Sequence, residues 1–256
     1  HTLFNVINVI ILLPFNKLIV KLAMKLVPQS KEEHDDDSKV VKFIDDRMIE
    51  TPSIALANTV KETLRMGEKA KESLSAAMDG VMDKSNEKIE LSCKKEKLIN
   101  ELQKSILNYL LKLSKASLDE DSREVVDGLF NTVNDIERIG DHAMNIASHA
   151  INEEYHMKQL SIVQDELKQL QEFLNHSYEI LLLDHIDYEE AKFVLSNEDS
   201  INELTDLYRR NQIQRLKDGS INAVDCIIYS QMMSDIERIS DHMKNIIQER
   251  QKYLLN

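Results

Sequence analysis

A 17-residue stretch of this chain occurs twice, and this duplication constrains the possible fold more than any other feature. The first copy covers residues 131–147 and the second covers residues 231–247. Nine of the 17 aligned positions are identical between the two copies. In the first copy these are Asp135, Ile136, Glu137, Arg138, Ile139, Asp141, His142, Asn145 and Ile146. A repeat of this length, separated by 100 residues, indicates a duplicated structural unit.

The distribution of proline predicts an all-α fold. The three prolines are Pro14, Pro28 and Pro52, so the strongest helix breaker is missing from everything that follows. That long remainder is rich in Leu, Ile, Glu, Lys and Gln, which favour helices. Its apolar residues recur at alternating steps of three and four, the spacing of a helix that buries one face.

The repeat predicts two tandem three-helix bundles, one over residues 51–154 and one over residues 155–256. The middle helices repeat as well, because residues 99–102 return as residues 201–204. Short connections favour antiparallel helices within each bundle. Capping residues mark three of the expected helix starts. They are Asp121 with Glu124, Asp187 with Glu190, and Ser220.

The beginning of the chain has the pattern of a membrane segment. Residues 1–16 carry no charge, and Lys17, Lys21 and Lys25 follow at once. A spanning helix needs about 20 apolar residues, so we expect residues 1–27 to be the end of a transmembrane region. Lysines beside such a segment favour the cytoplasmic side. An amphipathic helix on the membrane surface is the alternative. The acidic residues 28–50 are expected to form a juxtamembrane linker, cytoplasmic like everything after it.

Charge and motif content exclude several classes of function. The net charge of −13 argues against nucleic-acid binding, because an acidic surface repels phosphate backbones. Cys93 and Cys226 form no CxxC pair, which fits a reducing compartment. The sequence has no Ser-His-Asp order and no glycine-rich phosphate loop. We therefore expect a protein that is not an enzyme.

The two motif copies suggest a cation site. Glu137 and Asp141 are four residues apart on one helix face, where like charges repel unless a cation or donor lies between them. Carboxylate and amide oxygens on the middle helices add ligands suited to a divalent or transition metal ion. No other cofactor is expected, and a solvated acidic face is the alternative. The candidate ligands are Glu96, Asn100, Glu137, Asp141, Glu198, Asn202, Glu237 and Asp241.

Two further patterns concern the role of histidine in the motif helices. His142 and His242 lie five positions after their motif glutamates, so helix geometry favours solvent-facing or capping roles over metal ligation. A di-iron carboxylate enzyme needs Glu-x-x-His on such helices. The required positions hold Gly140 and Ser240, so this class of enzyme is excluded.

The motif D-I-E-R-I-G-D-H-A-M-N-I-A, residues 135–147, resembles that of PhoU-like domains. The resemblance implies two three-helix repeats whose carboxylate pairs bind multinuclear metal clusters. Residues 50–68 resemble the start of the cytoplasmic PhoU-like domain of bacterial sodium/phosphate cotransporters, and residues 1–15 resemble their last transmembrane helix. Asn100 and Asn202 stand where the family has aspartates, which favours a single weakly held cation over a cluster. The transporters' Gln-Ser-Ser-Ser motifs are absent.

Three functions remain open. The resemblance implies a cytoplasmic regulatory domain of a sodium-dependent phosphate transporter at the cell membrane. Its partners would be the transmembrane part of the same transporter, with sodium and inorganic phosphate as the transported ions, and a second copy in a homodimer. The first alternative is a membrane-tethered or soluble metal-binding regulator of phosphate uptake. The second alternative is a helical adaptor without catalytic activity.

Overall fold

The computed structural model describes residues 40–151, 161 and 163–254, and the chain from Val40 onward is one compact unit. A short 3-10 helix at Asp46–Glu50 precedes six α-helices. The prediction of an all-α fold is confirmed. The helices are α1 (Pro52–Asp83), α2 (Asn86–Leu113), α3 (Glu120–Ile151), α4 (Gln164–Leu181), α5 (Tyr188–Lys217) and α6 (Ala223–Leu254).

No helix within these described ranges is long and apolar enough to cross a membrane. The predicted transmembrane segment, residues 1–27, lies outside the described residues.

The helices form two sets of three, as the duplication predicts. Helices α1, α2 and α3 pack together, and α5 packs against both α4 and α6. The motif helices α3 and α6 also pack against each other and join the two sets. Ile139 and its repeat counterpart Ile239 are both fully buried in one continuous apolar core. The apolar stripe of each motif therefore faces inward, which leaves the charged motif residues at its flanks.

One of the three predicted helix caps is confirmed. Before α5, the Asp187 carboxylate accepts the Glu190 backbone N–H at 2.8 Å. The Glu190 carboxylate accepts the Asp187 backbone N–H in return, also at 2.8 Å. This reciprocal capping box satisfies two backbone donors that the helix itself cannot pair.

The other two caps lie two residues away from their predicted positions. Helix α3 is capped by Asp119 rather than Asp121, since the Asp119 carboxylate accepts the Ser122 backbone N–H at 2.8 Å. Before α6, the Asn222 side chain accepts the backbone N–H of Asp225 at 2.8 Å, so Asn222 is the cap in place of Ser220. In both cases a second capping residue type stands close by in the sequence. Local preference alone does not choose between them.

The turn between α1 and α2 is unusually tight. Lys84, the residue directly after α1, adopts a left-handed conformation with φ 53°, and the Ser85 N–H donates to the Gly80 carbonyl at 3.0 Å. A Cβ atom on Gly80 would lie only 2.7 Å from Ile89 Cγ1 at the start of α2. Glycine at this position therefore allows the two helices to meet closely.

Residues 40–50, which fall within the predicted linker, pack against the first bundle. Apolar side chains from this stretch contact the core. Its charged side chains reach the bundle too, since the Asp46 carboxylate accepts a hydrogen bond from Lys112 of α2. The residues that contact the core are Val41, Ile44 and Ile49.

A buried ion pair on α1 holds the backbone of this segment. The Glu62 and Arg65 side chains are 0% and 4% exposed, and Arg65 Nε donates to Glu62 Oε1 at 2.7 Å. The other Glu62 oxygen accepts the backbone N–H groups of Lys42, at 2.8 Å, and of Phe43. Arg65 also donates to the Val40 carbonyl. We call this arrangement the Glu62–Arg65 clasp.

Candidate functional site

The eight predicted ligands fall into two groups, one in each repeat. The first acidic site comprises Glu96 and Asn100 on α2 with Glu137 and Asp141 on α3. The second acidic site comprises Glu198 and Asn202 on α5 with Glu237 and Asp241 on α6. Within each site, the asparagine side chain donates a hydrogen bond to the glutamate one turn before it. Both asparagines are therefore oriented by a carboxylate of their own helix.

The second acidic site contains its own cations. Arg209 of α5 donates to both carboxylate oxygens of Glu237, each at 2.7 Å. Thr205 adds a third hydrogen bond to Glu237 at 2.6 Å. On the other side, Lys244 of α6 donates to Glu198 at 2.8 Å. The guanidinium and the ammonium are therefore each bonded to a carboxylate that a metal cation would need as a ligand.

These contacts set the ionisation of the second site. Burial alone would raise the pKa of Glu237, but the hydrogen bonds from Arg209 and Thr205 outweigh it and the pKa is lowered. The pKa of Asp241 is raised, first by burial and then by the charge of Glu198. Two of the three carboxylates of this site are already paired with side-chain cations, which makes the site poorly suited to bind a metal ion.

The first acidic site lacks both cations. With the middle helices aligned at a shift of 102, Arg209 corresponds to Leu107. With the motif helices aligned at a shift of 100, Lys244 corresponds to Met144. Both of these apolar side chains pack against the core. Arg138, which is 61% exposed, is the nearby cation, with nitrogens 3.8 Å from Glu137 and 3.6 Å from Asp141.

The ionisation of the first site reflects this missing charge. The pKa of Glu137 is raised by burial and then by the charge of Asp141, with Glu96 acting in the same direction. The side-chain oxygen of Asn100 is buried and accepts no hydrogen bond in the described part of the chain. Negative charge and an unused acceptor oxygen thus lie on the same face of the first bundle.

A preassembled metal centre is not seen in either place. Within residues 40–151, 161 and 163–254, no three His, Cys, Asp or Glu side chains are grouped closely enough to hold a metal ion. For cation binding at the first site, its side chains would have to change rotamer so that the carboxylates converge.

The motif histidines are neither solvent-facing nor capping, so that prediction was wrong. His142 Nδ1 lies 2.8 Å from Asp235 Oδ1, and His242 Nδ1 lies 2.7 Å from Asp135 Oδ1. The two imidazole rings stack with centroids 5.7 Å apart. Because each histidine bonds to the aspartate of the other repeat, the pair fastens α3 to α6.

Sequence reasoning missed two kinds of residue, although both left a signal. The aspartates Asp135 and Asp235 are identical in the two copies, and identity beyond the apolar stripe indicated a shared contact. Arg209 and Lys244 could be recognised by a difference between the copies, since each is a basic residue where the first repeat has an apolar one. Comparing the repeats position by position would have found these four residues.

Known proteins share both the sequence pattern and this fold. A "Phosphate-specific transport system accessory protein PhoU homolog" of Xylella fastidiosa is 30% identical, over 85% of this chain and 87% of its own length. The "Putative inorganic phosphate export protein YjbB" of Escherichia coli is 30% identical over 48% of this chain, which corresponds to only 22% of that longer protein.

Two solved structures have the same fold at low sequence identity. The crystal structure of PhoU from Pseudomonas aeruginosa has a TM-score of 0.69 and 17% identity, covering 78% of this chain and 97% of that chain. The phosphate transport system regulatory protein PhoU from Streptococcus pneumoniae has a TM-score of 0.70 and 20% identity, covering 80% and 97%.

The family assignment rests on both repeats. The PhoU domain matches residues 63–150, which contain most of the first bundle and its motif. It matches again over residues 164–249, which contain the second. These matches take in well over half of the sequence and both acidic sites, so this chain belongs to the PhoU domain family.

Proposed function

We propose that this chain regulates phosphate transport across the cell membrane. The relatives that match it over most of their length are named as accessory proteins of a phosphate-specific transport system. Others are named as putative inorganic phosphate export proteins. Phosphate transport is common to both groups of names. The absence of a catalytic constellation from the sequence supports a regulatory role rather than an enzymatic one.

The narrower proposal is that the chain is the cytoplasmic PhoU domain of a sodium-dependent phosphate transporter. The observation that carries the assignment to a longer transport protein is the match to the export proteins, of which this chain covers only 22% or 32%. PhoU domains therefore occur as parts of longer proteins. The resemblance of residues 1–15 and 50–68 to sodium/phosphate cotransporters supports the same assignment.

This proposal also assigns partners and a location. The transmembrane part of the same protein would carry sodium and inorganic phosphate, and the domain from about residue 28 onward would face the cytoplasm. A second copy of the chain would form a homodimer with it. The molar mass of the purified protein in light scattering tests that last point, and a monomer at all concentrations would contradict it.

The Glu62–Arg65 clasp offers a physical route for regulation. It fixes the backbone at Val40, Lys42 and Phe43, immediately after the residues proposed to lead from the membrane. A buried ion pair that holds backbone groups is lost as a unit when one partner is removed. A change in the packing of α1 would therefore be transmitted to this segment.

Phosphate flux tests the narrower proposal. The full-length protein that carries this chain is expressed in cells without other phosphate transporters, and radioactive phosphate flux is measured with and without sodium. We expect sodium-dependent flux, and an altered rate when residues 40–256 are deleted. Glu62→Gln should change the rate in the same direction, whereas Glu68→Gln, on an exposed position of α1, should not.

Two outcomes of that experiment would contradict the proposal at different levels. Flux that does not require sodium would overturn the sodium-dependent transporter and leave a phosphate regulator. Flux that is the same with and without residues 40–256 would overturn the regulatory role itself.

A second candidate function is that of a regulator that binds a metal cation. The asymmetry between the repeats favours it. The second acidic site has Arg209 and Lys244 bonded to its glutamates, whereas the first acidic site has no counterpart of either cation. We propose that a single divalent or transition metal ion binds there, at Glu96, Asn100, Glu137 and Asp141. The second acidic site would stay closed to metal as long as its two cations are present.

Manganese binding tests this candidate. Electron paramagnetic resonance should count one bound Mn²⁺ per chain, lost in Glu137→Ala with Asp141→Ala. The matched control is Glu237→Ala with Asp241→Ala, which should keep the ion. Replacing Arg209 by Leu and Lys244 by Met should open a second site. Failure to bind Mn²⁺, or binding that survives the first pair of substitutions, would remove this candidate.

A further inference from the structure

A cavity of about 130 Å³ lies between the two repeats, and none of the acidic-site residues lines it. Helices α1, α3, α4 and α6 all contribute to its wall. Most of the wall is aliphatic. Its apolar lining includes Val60, Leu64, Leu129, Ile136, Leu181 and Ile246. A dry apolar cavity of roughly 150 Å³ is large enough to bind benzene, so this one can hold a ligand body of about that size.

Tyr178 lines this cavity, and its hydroxyl is an unused polar group. The residue is 2% exposed, and its hydroxyl forms no hydrogen bond within the part of the chain that the structure describes. Burial raises the pKa of this hydroxyl, so it stays protonated and can donate. Buried hydroxyl groups in folded proteins nearly always have a partner, which makes this donor an indication of a missing one.

Arg250 supplies positive charge to the same wall. Its guanidinium donates to the carbonyls of Leu181 at 2.7 Å, Leu183 at 2.6 Å and Asp184 at 3.0 Å. These bonds use three of the five guanidinium donors and leave two available. Among the described residues, no carboxylate forms an ion pair with Arg250. Burial lowers the pKa of the guanidinium, and the charge of Asp184 opposes this effect only in part.

The remaining polar side chains of the wall are those of two threonines. Thr63 is already committed, because its hydroxyl donates to the Thr59 carbonyl at 2.9 Å. Thr132 is the other hydroxyl-bearing residue of the wall. The site therefore combines a benzene-sized apolar volume with one phenolic donor and one guanidinium.

We propose that this cavity binds a small monoanion with a compact apolar body, of the aromatic carboxylate class. The apolar body would fill the space between the repeats. One carboxylate oxygen would accept a hydrogen bond from the Tyr178 hydroxyl, and the negative charge would be balanced by Arg250. Because four helices from both repeats form the wall, binding would stabilise the packing of one repeat on the other.

Benzoate and benzene are the probes that test this site on the full chain. Methyl-labelled isoleucine and leucine in NMR should report saturable shifts at Ile136, Leu181 and Ile246 on addition of benzoate. Benzene should shift the same methyl groups but bind more weakly, because it cannot accept the two donors. Benzoate should also raise the melting temperature.

Substitutions distinguish a specific anion-binding site from nonspecific binding of apolar molecules. Tyr178→Phe removes the donor at nearly constant shape and should weaken benzoate binding about tenfold while leaving benzene binding unchanged. Tyr208→Phe is the matched control, since that hydroxyl bonds to Gln169 at 2.6 Å outside the cavity. Val60→Phe, at a half-buried position of the wall, should block both ligands.

Each part of this proposal would be contradicted by one particular result. The absence of saturable methyl shifts with benzoate would overturn the site. Equal benzoate affinity in the native protein and Tyr178→Phe would overturn the assigned chemistry, and binding that survives Val60→Phe would place the ligand elsewhere. None of these readouts depends on phosphate transport.

Discussion

His142 of the first repeat stacks on His242 of the second, with ring centroids 5.7 Å apart and an angle of 26° between the ring planes. Each ring also bonds through Nδ1 to an aspartate of the opposite repeat. Asn145 and Asn245 donate to the same two aspartates, at 3.2 and 3.3 Å. Each copy of the motif therefore has two structural roles. Its glutamate and second aspartate form an acidic face, and its first aspartate, its histidine and the asparagine common to both copies hold α3 and α6 together symmetrically.

Replacing both histidines by alanine should reveal energetic coupling between the repeats. Each single substitution removes the same stacked pair, so the losses in unfolding free energy should add to more than the loss in the double variant. Contacts of this kind give coupling of about 0.5–1.5 kcal/mol. Urea unfolding of the four proteins measures it. His176→Ala, which removes a ring packed on Phe193, is the control and should be additive with His142→Ala.

The helices were predictable because their signal is periodic and local. An apolar stripe that includes Ile136, Ile139 and Ile146 specifies both the helix and the face that it buries. The caps were less predictable, since Asp119 and Asp121 are both good capping residues and only the path of the preceding loop selects one. The packing of the segment after Val40 could not be predicted for a similar reason, because it depends on Glu62, some twenty residues further along the chain.

The site was predictable only in part, again for physical reasons. Spacing along one helix places Glu137 beside Asp141, so the acidic pairs could be named from the sequence. Contacts between helices could not be named in this way. The ion pair of Arg209 with Glu237 and the bond of His142 to Asp235 depend on how the flanks of separate helices meet, which sequence spacing does not give.

Glu62→Gln should release the segment that the clasp holds. The substitution leaves Arg65 buried without a carboxylate, and breaking such a pair costs about 3 kcal/mol of stability. The backbone amides of Lys42 and Phe43 lose their charged acceptor and should exchange hydrogen much faster. Exchange measured by NMR at each amide tests this.

The exposed Glu68 on the same helix provides the control for that experiment. Glu68→Gln should leave exchange at Lys42 and Phe43 unchanged. Equal protection of the two amides in Glu62→Gln and the native protein would show that the clasp does not hold the segment.

Gly80→Ala should destabilise the first bundle although alanine is the better helix former. The new methyl group would lie 2.7 Å from Ile89 Cγ1 and 3.2 Å from its backbone nitrogen, so the start of α2 would have to move. Overpacking of this kind costs about 1–3 kcal/mol. Thermal unfolding measures the loss.

Gly140→Ala is the comparison, since the three atoms nearest to its new methyl group all belong to the Ile99 side chain, with Cδ1 at 3.1 Å. A flexible side chain can adjust, so this loss should be the smaller of the two. A Gly80→Ala protein as stable as the native one would contradict the tight approach of α1 and α2.

The equivalent glutamates Glu137 and Glu237 should respond to pH in opposite directions. The pKa of Glu237 is lowered because the hydrogen bonds of Arg209 and Thr205 outweigh the effect of burial. Its stabilising effect is therefore present at neutral pH and is lost as the pH falls through the folded-state pKa. The pKa of Glu137 is raised by burial and by Asp141, so its contribution is greatest when protonated and is lost as the pH rises through its folded-state pKa.

Unfolding free energies of two variants between pH 3 and 7 test this contrast. At pH 7, Glu237→Gln should lower stability by about 1.5–3 kcal/mol, the usual value for hydrogen bonds to a charged group, and the difference should shrink in acid. Glu137→Gln should instead raise stability at pH 7 and lose that advantage in acid. Since both positions hold glutamate, the opposite signs would come from Arg209, which bonds to Glu237 and whose counterpart in the first repeat is Leu107. The same sign for both variants would contradict this account.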